Sequence, residues 1–309
     1  MPTLRFVHHP AFPAPPRASI YPVPPTLAPA TRRSRLLAPR SCIAVDWSGS
    51  MSTVRSRMWL AESRERKLVR LECGFTREEL VRELIERAHR DPSLVVGLDF
   101  SFSFPSWFLD THGVANGREL WGLVAEKGER WLTTCPNPFW GKPFIPRPIS
   151  PENRSPWRAT ESERPAVAGI APKSIFQIGG AGTVGTGSLR GMPFLAQLQD
   201  AGFAIWPFDR ARLPMVVEIY PRYLTGAVDK SSAIARSMYL QARHAQESRA
   251  ILDRASSSED AFDAAVSAAS MQRFARDFVR LARTPRSARD RREGRIWVPL
   301  RDPVFERWL

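Results

Sequence analysis

Only three cysteines, Cys42, Cys73 and Cys135, occur in the 309 residues. An odd number without paired spacing supports neither a disulfide framework nor a cysteine zinc site, and it fits a reducing, cytoplasmic compartment. Histidine is nearly as scarce, with five copies. His8 and His9 adjoin near the start while His89, His112 and His244 stand alone, so no imidazole cluster is offered to zinc. No apolar run approaches the ~18 residues that span a bilayer, and the start lacks the apolar stretch of a secretory signal. There is no internal repeat. What remains is a 43% hydrophobic chain long enough to bury one large core or two modest ones.

Acid is also missing from residues 1–45, which hold six arginines, whereas residues 273–295 hold nine arginines against three acids. The formal net charge of +14 therefore sits mainly in two flanks, where it serves either solvation or attraction of a polyanion. Residues 1–40 are rich in Pro and Ala and poor in alternating hydrophobics. That composition cannot repay the entropy of ordering, so the reading is a disordered extension before a domain at 41–309.

Regular patterning opens with a buried strand at 42–47 and two hairpin strands at 55–61 and 67–71. Thr76 and Glu79 then form a capping box, and Leu80, Leu84, Ile85 and Ala88 make the apolar stripe of the helix it starts. A strand at 94–98 follows. Residues from 101 to about 200 form a large irregular insertion with one helix at 117–132 and a proline-dense stretch from Pro136 to Pro156. Trp140, Lys142, Arg147, Arg154 and Trp157 fall in or beside that stretch, placed either to stack bases and contact phosphates or to pack the insertion onto the body. Gly180-x-Gly182-x-x-Gly185 has the spacing of a dinucleotide fingerprint but lacks a full strand before it and an acid at the next strand end. It reads as a flexible loop near a phosphate-bearing substrate, with Lys173 close by. A helix at 189–199 and strands at 203–206 and 215–220 complete the order.

Acids recur at the ends of the apolar runs. Asp46 closes Cys42–Asp46, Asp99 closes Val95–Asp99 and Glu218 lies near the end of Val216–Tyr220. Asp260 and Asp263 open a helix, three residues apart on adjacent parts of one face. Each acid alone has an ordinary role: Asp46 in a turn, Asp99 as a cap, Glu218 paired with Arg222, Asp260 on the helix dipole. Together they outline a metal site, because carboxylates gathered at one point repel unless a divalent cation sits between them. Downstream of Asp263, Ser267, Ser270, Phe274, Phe278 and Leu281 continue one helical stripe, while Arg273, Arg276, Arg280 and Arg283 fall on another side.

Ile43 to Gly49, Gly97 to Pro105, Pro172-Lys173-Ser174-x-Phe176-Gln177, Gly185-x-Gly187-Ser188-Leu189, Glu218-Ile219-Tyr220-Pro221-Arg222 and Asp260-x-x-Asp263-Ala264 together carry a resemblance. Over residues 41 to about 300 the chain resembles an uncharacterised bacterial and archaeal family of predicted nucleases assigned to the ribonuclease-H-like superfamily. Asp-x-x-Asp-Ala is similar to the last catalytic helix of resolvases of the RuvC type. The resemblance implies an α/β fold: a ribonuclease-H-like mixed sheet with flanking helices, three antiparallel strands leading into alternating helices and strands. It implies Asp46, Asp99 and Asp263 as catalytic acids and Asp46, Asp99, Glu218, Asp260 and Asp263 as metal ligands. Superfamily nucleases often hold Glu where this chain has Asp99, which shortens the reach by one methylene.

The resulting expectation is hydrolysis of phosphodiester bonds in nucleic acid, DNA or RNA, by a two-metal-ion mechanism with Mg²⁺ or Mn²⁺. An all-carboxylate site suits these hard cations. Lys173, Arg222, Lys142 and Trp140 are the expected substrate-binding residues. A catalytically silent nucleic-acid-binding module of the same fold is the first alternative, and a phosphotransferase or ATPase the second.

Overall fold

The structure, a computed structural model, describes residues 38–151, 154–180 and 182–300. The extension expected at 1–40 lies outside the described residues up to position 37. Residues 38–40 already adjoin the body: Pro39 is buried, and the Arg40 amide donates to Ser93 Oγ at 3.2 Å.

Six strands make one mixed sheet: β1 (Ser41–Asp46), β2 (Trp59–Arg64), β3 (Lys67–Cys73), β4 (Val95–Leu98), β5 (Ala204–Ile205) and β6 (Met215–Glu218). Their order is β3-β2-β1-β4-β6-β5. The first three are antiparallel, whereas β4 runs parallel to β1 and to β6, and β6 parallel to β5. Strand side chains alternate between faces, and both faces here are covered. Ile43, Val45, Val96 and Leu98 pack with Leu80, Leu84, Trp121 and Leu195, which come from helices Arg77–Arg90, Gly117–Thr134 and Gly185–Asp200. Cys42, Ala44, Val95 and Val217 face the opposite way and meet Phe262, Ala265 and Met271 of helix Glu259–Arg273. The sheet thus separates two cores.

The Glu259–Arg273 helix lies close against the sheet. Its Ala261, Ala264, Ala265 and Ala268 are at most 1% exposed. In β4, a Cβ at Gly97 would come within 2.7 Å of Met271 Sδ and 2.8 Å of Ile219 Cγ2, so any larger residue would have to displace these side chains beneath the helix. Among the described residues no helix is long and apolar enough to cross a membrane.

Four expectations change. Residues 55–57 belong to a helical turn closed by the Met58 amide on the Val54 carbonyl at 2.8 Å, and β2 begins only at Trp59. The capping box at Thr76 forms as expected. Helix Gly185–Asp200 begins four residues before position 189, so Gly185 and Gly187 form its first turn rather than a loop. Close approach explains the glycine, since a Cβ on Gly185 would sit 2.1 Å from the Ile175 carbonyl oxygen. The C-terminal stripe is not continuous: helix Glu259–Arg273 ends at Phe274 (φ −101°, ψ 23°) and a separate helix, Ala275–Leu281, follows. In the proline-dense stretch Phe139 and Trp140 serve packing, whereas Phe144 is exposed. Trp140 and Phe139 are buried, Phe139 stacks on Trp131 at 5.5 Å, and Arg147 lies 4.3 Å from the centre of the Trp157 ring.

Candidate metal centre

Register decides which acids meet. Val45 of β1 is level with Leu98 of β4, and Leu98 with Glu218 of β6. Asp46 and Asp99 are each one residue further on, so they leave the carboxyl edge on the face of Ala44 and Gly97, beneath the Glu259–Arg273 helix. The Asp99 amide donates to the Val45 carbonyl at 3.1 Å, which keeps the two turns side by side. Glu218 is level with Leu98 and emerges on the opposite face. That offset of one residue turns its side chain away from those of the aspartates, although it lines the same cavity and its charge still raises Asp99.

A cavity of about 760 Å³ opens along this edge, lined by Asp46, Asp99, Glu218 and Asp260 with Lys173 and Arg190 on its wall. Asp263 stands behind it, almost buried, its Oδ2 held by the Lys230 ammonium and its Oδ1 without a hydrogen-bond partner. Burial, then Asp99, Asp263 and Asp260, push the Asp46 carboxyl well above the ordinary range, with Lys230 opposing. Burial, then Asp263, Glu218 and Asp260, push Asp99 up to about 8, again against Lys230. Asp263 is raised by burial despite Lys230. Asp260 is raised by burial and opposed by Arg57, whose Nε lies 4.0 Å from its carboxylate. Four acids from two strand ends and one helix therefore form a single electrostatic unit.

Glu218 plays a different part. Its Oε2 accepts from Arg158 Nη1 at 2.9 Å and from the Phe102 amide at 3.1 Å, and its Oε1 from Arg158 Nη2 at 2.5 Å. Arg158 has no exposure at all and also binds Glu161 through Nε and Nη2. Burial opposes its charge, yet Glu161 and Glu218 together hold its pKa above the usual arginine value. The expected partner, Arg222, instead donates to the carbonyls of Gly226 and Val228 at 3.1 and 2.7 Å, ordering the loop that leads to Lys230. Of the expected substrate contacts, Lys173 lines the cavity. Arg222, Lys142 and Trp140 do not: Lys142 Nζ lies 3.5 Å from the Thr133 carbonyl, and Trp140 is in the apolar core.

The donor set, carboxylates without histidine or cysteine, has the chemistry of a hard divalent ion, and the partnerless Asp263 Oδ1 leaves negative charge to be met. As arranged, however, no group of three or more His, Cys, Asp or Glu among the described residues closes into a metal cluster. Lys230 supplies the nearest positive charge to Asp263. No protein-family model matches the chain, and no curated protein or solved structure is significantly similar to it.

Raised carboxyl pKa values tie stability to pH with a definite sign. Asp99 titrates near its ordinary value when unfolded and near 8 when folded, so its protonated form favours the fold and that contribution is lost as pH rises towards 8. In metal-free buffer the melting temperature of Asp99→Asn, relative to the parent, is expected to match at pH 4 and to rise progressively above it up to pH 8.5. Thermal melts across that range check it; a gap that does not change with pH would place Asp99 in water.

Proposed function

We propose that the chain is a divalent-metal-dependent nuclease of ribonuclease-H-like fold. The observation that carries this reading is the convergence of Asp46, Asp99, Asp260 and Asp263 from two parallel strand ends and one helix at the carboxyl edge of the sheet, where α/β sheets bind ligands. The strand order supports the fold assignment: an antiparallel trio followed by β4 and β6 parallel to β1, with acids at the ends of β1 and β4 and on a later helix. Asp46, Asp99 and Asp263, with Asp260 at the mouth, are the residues to hold Mg²⁺ or Mn²⁺, which would lower the pKa of a bound water and offset charge on the leaving oxygen. Lys173, exposed on the cavity wall, faces an incoming phosphate backbone with a mobile point charge. Arg190 is tied to Glu129 and the Gly49 carbonyl and holds the turn after Asp46 in place. Glu218 and Arg158 act as a rigid buttress beneath Ser101 and Phe102.

One observation favours a second reading, a nucleic-acid-binding module without turnover: Lys230 already neutralises Asp263. The test incubates the full chain with end-labelled single- and double-stranded DNA and RNA, with Mn²⁺ or with a chelator, alongside a calorimetric Mn²⁺ titration. Cleavage in Mn²⁺ that stops in chelator is the expected result. Nucleic-acid binding with no heat of metal binding and no cleavage would assign the silent module.

A further inference from the structure

A second cavity, of about 650 Å³, shares no lining residue with the acidic one. The β2–β3 turn, the last turn of helix Glu259–Arg273 and the end of helix Ala233–Arg243 enclose it. Its charge is opposite: Arg66, Lys67, Arg243 and Arg273 line it against the single acid Glu65. Elsewhere arginines are widely paired with carboxylates, but among the described residues none of these four forms a salt bridge. Two of them are spread over aromatic rings, Arg243 at 5.6 Å from the Tyr239 centroid and Arg273 at 5.4 Å from that of Phe274. Both guanidiniums, after burial, push His244 between them down to about 4, so the imidazole adds no charge near neutrality. The buried Thr225 hydroxyl on the same wall has no hydrogen-bond partner.

Each alternative occupant fails on one of these features. An apolar ligand would desolvate cations without compensating them. A simple inorganic anion leaves the aromatic walls and most of the volume unused. A cavity of this size falls in the usual range for small-molecule sites, and cations over ring faces match a ligand with both an anionic end and a flat aromatic body. We propose that this second cavity binds a nucleotide, with Arg66, Lys67, Arg243 and Arg273 taking the phosphate and Tyr239 and Phe274 flanking the base. The nucleotide is either free or one residue of a single strand. The site does not depend on the chemistry assigned to the acidic cavity.

The experiment measures binding of AMP, inorganic phosphate and a short single-stranded oligonucleotide to the full chain by calorimetry at low salt. The variants are Arg243→Gln/Arg273→Gln, whose side chains are exposed, and Asp46→Asn. AMP is expected to bind more tightly than phosphate, to weaken at least tenfold in the double variant, and to keep its affinity in Asp46→Asn. An oligonucleotide that binds more tightly than AMP with the same loss identifies a strand as the source, and equal or weaker binding identifies a free nucleotide. AMP affinity no better than that of phosphate, unchanged in the double variant, or lost in Asp46→Asn overturns the proposal.

Discussion

Asp46→Asn is expected to abolish metal-dependent cleavage, by at least about a thousandfold as for loss of a central catalytic group, while leaving the fold intact or firmer. The reason lies in opposite demands on one carboxylate. Without metal, the Asp46 charge is opposed by burial and by three neighbouring aspartates, so a neutral amide of the same shape relieves repulsion. With metal, on the proposed reading, the same charge would hold the cation. Activity and stability should therefore move in opposite directions, measured as initial cleavage rate in Mn²⁺ and as chelator-treated melting temperature. Asp263→Asn separates from it. Asp263 pairs with a Lys230 side chain that is only 13% exposed. Its removal strands an ammonium, so lower stability is expected alongside lost activity. Undiminished cleavage by Asp46→Asn would remove the nuclease reading altogether.

The largest loss of stability is expected from Arg158→Met. Arg158 joins Glu161 and Glu218, all three essentially without exposed side-chain area, and also binds the Glu293 carbonyl at 3.0 Å. Breaking a buried ion pair from one side costs about 3–5 kcal/mol because the remaining charge has no water to turn to. Here two carboxylates are stranded. Urea unfolding should show a loss in or above that range, and adding Glu161→Leu and Glu218→Met should restore part of it, since the apolar set removes the stranded charges but leaves the Phe102 and Arg158 amides without their acceptors. A loss below about 1 kcal/mol, the scale of a surface pair, would mean that the cluster is hydrated. Glu218→Gln should lower stability more than cleavage, the reverse of Asp46→Asn.

The strands and the capped helix were legible because period and capping are local. Asp46 and Asp99 could be placed at neighbouring strand ends from the apolar runs before them. The face on which Glu218 emerges was not legible: it follows its apolar run directly, as Asp46 and Asp99 do, and only the strand register, which sets Glu218 level with Leu98, turns it to the other side of the sheet edge. Arg158 gave no local signal, because it follows the proline-dense stretch at the start of a one-turn helix whose place is fixed by distant contacts with Ser101, Glu218 and Glu293. Lys230 had one. The chain uses five lysines against forty arginines, and two of the five, Lys173 and Lys230, stand at the acidic site. The break at Phe274 was invisible because the apolar spacing continues through it.

The alanines of the Glu259–Arg273 helix and Gly97 beneath them have a consequence for how this protein tolerates change. An aspartate carries its carboxylate only two bonds from the backbone, so acids on a helix and on strand ends can meet only if the two backbones themselves come close. Small residues such as Ala264, Ala268 and Gly97 set that spacing while lying outside both cavities. A methyl or ethyl group added there acts as a shim, lifting the helix and spreading the aspartates without touching any of them. Random variation at these positions should therefore produce proteins that remain folded but are chemically detuned, and a screen for heat resistance would pass over them.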